Sequence, residues 1–110
     1  MIHDRIDKIE TAVRSASNLP AETKQELLAL LSELKAEVAP LGATHGEDAA
    51  SIARFADASV HEATRSEKKP DQAAAAVTGL SASVAGFEAS HPRLVQIVDR
   101  LAMALSNMGI

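Results

Sequence analysis

Ile2, Ile6, Ile9 and Val13 recur at intervals of 4, 3 and 4 residues, with Asp4, Arg5, Asp7, Lys8 and Glu10 between them. That spacing predicts one apolar stripe on a charged helix. A second segment repeats it through Leu27, Leu31, Leu34, Val38 and Leu41, widened by Leu28 and Leu30. Between the two lies "SASNLPAETKQE", where Asn18 can serve as N-cap and Pro20 suits a first turn. Glu22 and Glu26 complement the positive end of the second helix, and Pro40 and Gly42 stop it. Two heptad-like helices joined by a short turn predict an antiparallel hairpin over residues 1–42.

Residues 43–69 carry a weaker third helix and a hinge. Thr44 or Gly46 stands near its cap, and Ala49, Ile52, Phe55 or Ala56, Val60 and Ala63 form its apolar face. The "RSEKKP" stretch breaks it, because Pro70 disfavours helical geometry at Lys69. Over residues 70–110 a helix–proline–helix is expected. The fourth helix starts near Asp71 and runs through Val77, Leu80, Val84 and Phe87 to Ala89 or Ser90, enclosing Gly79 and Gly86. An interior glycine costs about 1 kcal/mol against alanine, so each marks either a close helix approach or simple tolerance. The fifth helix carries Leu94, Val98, Leu101, Leu105 and Met108 at 4, 3, 4, 3 spacing. No strand periodicity competes. The fold class is all-α, four to five helices in antiparallel hairpins with coiled-coil-like heptad packing, forming a single domain.

Composition sharpens this picture. Hydrophobic residues are 46% of the 110, but aromatics only 2%, and about a fifth of the chain is alanine. Alanine forms helix readily and buries little area, so each helix contributes a thin core. Self-association, with a dimer favoured, is the expected remedy. The net charge of −4 is spread evenly along the chain, which leaves no basic face for nucleic acid. The absence of cysteine excludes disulfides and thiolate chemistry. No leader-like pattern opens the chain and no apolar run suits a membrane span, so a cytoplasmic location is expected.

The closing stretch "GFEASHPRLVQIVDRLAMALSNMGI" holds the candidate chemistry. Pro92 cannot continue a helix and pushes His91 towards extended geometry, so a corner is predicted with Pro92 at the first helical position. If Ser90 is the cap instead, its hydroxyl would accept from the Arg93 N–H. Gly109 and Ile110 suit the last two positions of a glycine stop, with Ile110 packing back on Leu105. "FEASHPRL", an amphipathic helix and the terminal "NMGI" resemble a family of short, uncharacterised bacterial proteins. Its members begin with a leucine-rich helical hairpin and end with a Phe-Glu-x-x-His-Pro segment and a Met-Gly-Ile terminus. The likeness covers residues 84–110 well and residues 1–42 loosely, with residues 43–75 resembling an added helix. It implies bacterial origin and a helical fold and supplies no activity, the family being a domain of unknown function.

Catalytic readings fare poorly against structural ones. His3, His45, His61 and His91 lie at least fifteen residues apart, whereas zinc sites commonly pair histidines three or four apart. Glu88 and His91 have the right spacing but straddle the helix break. Ser90 beside His91 lacks the oriented third group and oxyanion donors of a nucleophilic site, and chain neighbours seldom point at one another. No cofactor, metal or enzymatic activity is expected. Recognition is the remaining candidate: Phe87, Pro92, Leu94, Met108 and Ile110 could form an apolar patch edged by Glu88, His91 and Arg93. Phe87 and Leu94 read more simply as core. The function expected is a non-catalytic, self-associating interaction or scaffold protein. The alternative is a binding module taking an apolar ligand or partner helix in a groove between the alanine-rich third and fourth helices.

Overall fold

The first two stripes become α1 (Ile2–Ser15) and α2 (Ala21–Val38) in the computed structural model, which describes residues 2–108 and side chains from Asp4 onward. Their antiparallel pairing is fixed at both ends. Lys35 Nζ donates to Asp7 at 2.7 Å and to Glu10 at 3.0 Å, while near the turn Lys24 Nζ donates to the Arg14 carbonyl. Ile6, Ile9 and Val13 on α1 and Leu27, Leu31, Leu34 and Val38 on α2 are at most 2% exposed. Burying a side chain of this size contributes about 1.5–3 kcal/mol, so the seam supplies far more stability than ion pairs centred on the partly solvated Lys35.

Two boundaries differ from expectation. Pro20, not Asn18, occupies the N-cap of α2, extended at φ −61° and ψ 151°, with no side-chain cap. The Asn18 amide instead donates to the Thr64 carbonyl at 3.3 Å, tying the first turn to a distant helix end. At its other end α2 stops at Val38 rather than Leu41. Pro40 breaks it, and the chain makes one separate turn, α3 (Leu41–Thr44), which keeps Leu41 buried.

The third predicted helix is α4 (Gly46–Thr64), the fourth α5 (Pro70–Ala82) and the fifth α6 (Pro92–Ser106). Among the described residues there are thus six helices and no strand. The five long ones pack in the cyclic order α1–α2–α6–α5–α4, with α4 returning to α1 and also touching α6 across the core. One cluster runs through Ile6, Leu27, Leu41, Ile52, Leu80 and Leu94, so hairpin, added helix and C-terminal region share a core. The radius of gyration, 12.9 Å, matches the ~13 Å of a folded chain of this length. The heptad seams therefore close within one copy.

Helix α5 ends at Ala82, well before Ala89 or Ser90. Ser83 Oγ donates to the Leu80 carbonyl at 2.6 Å, and Gly86 adopts φ +96°. A side-chain bond back to the preceding turn and a left-handed glycine are both devices that finish helices. Val84 and Phe87 stay buried, but from the turns after α5 rather than on its stripe. Gly79, by contrast, is a close approach. The Phe55 ring of α4 lies against its bare backbone where any Cβ would overlap the ring. Of the two residues offered for the α4 face, Ala56 is the buried one, and Phe55 is 39% exposed. The proposed stop at Gly109 and Ile110, and the side chain of Ile2, lie outside the described residues.

Candidate functional site

The predicted corner is present. Pro92 takes the first position of α6, and His91 precedes it at φ −138° and ψ 63°. Ser90 does not cap the helix; its hydroxyl lies 2.9 Å from His91 Nδ1. The two neighbours do meet. The same arrangement recurs at α4. His45 precedes Gly46 at φ −134° and ψ 55°, and its Nδ1 lies 2.8 Å from Thr44 Oγ1.

These two junctions come together around Phe87. Ring centres lie 5.5 Å apart for His45 and Phe87 and 5.4 Å for Phe87 and His91, at interplanar angles of 74° and 72°. His45 and His91 are 6.3 Å apart at 78°. All three contacts are edge-to-face, the arrangement the ring quadrupole favours. The triad fastens the α3–α4 junction to the turns between α5 and α6. Sequence does not single out His45 as part of the corner, since nothing local places it near residues about forty positions away.

The rest of the corner is occupied with holding shape. Glu88 accepts from the Gly86 N–H at 2.8 and 3.3 Å, stabilising the left-handed turn. Arg93 reaches α2, 3.2 Å from Glu33 and 3.7 Å from Glu37. Leu94 is fully buried and Phe87 is 8% exposed, so they belong to the core and not to a surface patch. Met108 packs partly buried against that core. Gly109 and Ile110 lie outside the described residues. Chemically, the Ser90–His91 contact is a hydroxyl beside an imidazole, and the nearby carboxylate that could orient the ring is held on the Gly86 backbone instead. Among the described residues no three of the histidines and carboxylates gather as a metal ion would need.

Two surface grooves lie away from the corner. The larger, ≈ 670 Å³ between α1 and α4, has charged walls of both signs, with Arg5 3.4 Å from Asp57 and Lys8, Arg54 and Asp4 around them. The smaller, ≈ 230 Å³, runs between α2 and α6 and is lined by Glu26, Leu30, Arg100, Met103, Ala104 and Asn107. Its floor is apolar: Leu30 is 7% and Ala104 6% exposed. Met103 stands at its edge with 65% of its surface in solvent. Glu26 and Arg100 face the same groove, yet neither makes an ion pair among the described residues. Sequence did hold a signal for Met103, an apolar residue two positions past the Leu101 seam on the polar face of α6.

On the seam between α4 and α5, the groove considered for an apolar ligand, the Phe55 ring lies against Gly79. No helix among the described residues is long and apolar enough to cross a membrane.

The profile of one protein family, described as Domain of unknown function (DUF4404), matches residues 27–110. The matched range takes in residues 43–75. It begins inside α2 and leaves α1 outside. No curated protein and no solved structure shows a significant match to the chain.

Proposed function

This chain belongs to the DUF4404 family, and on that premise we propose that it is a non-catalytic helical protein that self-associates and acts as an interaction or scaffold module. Met103 carries the reading. Among the described residues the large apolar side chains are mostly covered; Phe55 is 39% exposed, and this thioether stands out at 65% exposed beside an apolar groove. Methionine is the side chain that adapts best to a second surface, being unbranched and polarisable. The apolar seams are satisfied in one copy, so association uses the outer face and need not unfold anything.

The non-catalytic part rests on how the polar groups of the corner are engaged. Glu88, Ser90, His91 and Arg93 bond to their own backbone, to each other or to α2, which suits a structural junction.

Light scattering across a concentration series tests the reading. The mass is expected to rise from 11.5 kDa towards twice that value as concentration increases. A strict monomer at high micromolar concentration overturns it.

A further inference from the structure

Resting on the self-association reading above, we propose that two copies pair about a two-fold axis through the α2–α6 groove. Met103 of each copy enters the other's groove, and Arg100 of each meets Glu26 of the other. The occupant is a second copy of this chain because the groove carries both halves of its own complement. One wall is acidic at Glu26 and the other basic at Arg100, and neither has an ion-pair partner among the described residues. The apolar element that fits the Leu30 and Ala104 floor is the Met103 side chain at the rim of the same groove.

A two-fold interface is self-complementary: whatever residue i of one copy does to residue j of the other, j does to i. A surface holding an uncommitted acid, an uncommitted base and an exposed apolar knob beside an apolar floor meets that condition without help from a different protein. Neighbouring Arg93 shows the contrast. It lies about two turns from Arg100 on α6 and is already engaged by Glu33 and Glu37 of its own chain. Arg100, unlike Arg93, is left without an ion pair among the described residues, on the wall beside Met103. An apolar centre with charged pairs at its rim is how protein interfaces are generally built, the charges setting register and partner choice.

The test uses Glu26→Arg and Arg100→Glu, separately and mixed. Both residues are exposed on helices, so circular dichroism should show unchanged helicity. In each single variant like charges meet twice across the axis, and the dimer dissociation constant should rise roughly tenfold or more. Mixing the two variants gives a heterodimer in which opposite charges meet at both contacts. At one, the introduced arginine of the first chain faces the introduced glutamate of the second. At the other, the native Arg100 of the first chain faces the native Glu26 of the second. Analytical ultracentrifugation of the mixture should therefore recover dimer near wild-type affinity. A pairing inside one chain cannot produce that recovery. Met103→Gln, which keeps a helix-forming side chain of similar length, should also weaken the dimer roughly tenfold.

A wild-type dimer indifferent to all three variants overturns this interface and leaves self-association standing on another surface. Single variants that weaken the dimer without recovery on mixing overturn the Arg100–Glu26 pairing. A wild-type monomer overturns the interface together with the reading on which it rests.

Discussion

Helix α2 meets α6, and α4 meets α5, with opposite materials. The first seam is leucine-rich: Leu27, Leu30, Leu31 and Leu34 on α2 and Leu94, Val98, Leu101 and Leu105 on α6 are nearly all fully buried. The second draws more on small residues, with Ala56, Ser59, Ala63 and Ala73 buried on its helices beside Ile52, Val60 and Leu80, and an aromatic ring resting on Gly79. A leucine seam gains stability through apolar area and tolerates modest repacking. A small-residue seam gains it through close approach, and extra volume must displace a neighbour. The two seams should therefore fail in opposite directions, one when atoms are removed and the other when they are added.

The largest effect is expected from Leu101→Ala. It leaves a cavity at a fully buried position, costing about 2–5 kcal/mol in denaturant unfolding. A loss below about 1 kcal/mol would mean that the seam collapses freely and is not a packed unit. Gly79→Ala tests the other seam from the opposite side. Its methyl overlaps the Phe55 ring, so a net cost of about 1–2 kcal/mol is expected once overpacking is set against better helix propensity. With Phe55→Ala in place, the same substitution should become stabilising by up to about 1 kcal/mol. If it costs the same in both backgrounds, the ring is not the obstacle.

Ser59→Ala is smaller and has the opposite sign. The Ser59 hydroxyl is fully buried with no hydrogen-bond partner among the described residues, so its removal should stabilise by about 1 kcal/mol, seen as a higher unfolding midpoint. A destabilised variant would show that the hydroxyl has a partner.

The smallest effect concerns pH and the α1–α2 pair. Hydrogen bonds to Asp7, and then to Glu10, hold the Lys35 ammonium above its usual pKa of 10.5. A group raised on folding contributes fully below its unfolded pKa and loses that contribution as pH rises through the folded value. The stability gap between wild type and Lys35→Gln should thus be constant near neutrality and shrink above 10.5. A gap that stays open in strong alkali would assign it to the side chain's packing instead.

The leucine seams were readable because 3.6-residue periodicity is a local property, and each stripe had to be buried against something. Helix ends were readable where proline acts through its own ring, as at Pro40, Pro70 and Pro92. The early end of α5 was not. Val84 and Phe87 continue the helical spacing, and only Gly86 at φ +96°, held by Glu88, shows that the chain had already turned. The corner was visible as a bend, but its other half was not. His45 joins Phe87 and His91 through a contact that spans about forty residues, and no pattern within a segment encodes that distance. Met103 was visible only as an apolar residue off the seam, and its meaning depends on Leu30 and Glu26 lying beside it.

The sequence by itself determined the helices, the stripe each one buries and the proline corners, since these follow from backbone geometry within a few residues. Tertiary structure alone decided the cyclic order of the helices, the closure of the seams within one copy and the pairing of an aromatic ring with Gly79. It also decided which apolar residue was left outside. Those choices depend on which surfaces meet, and side chains far apart in the chain compete for the same buried volume until one arrangement fills it.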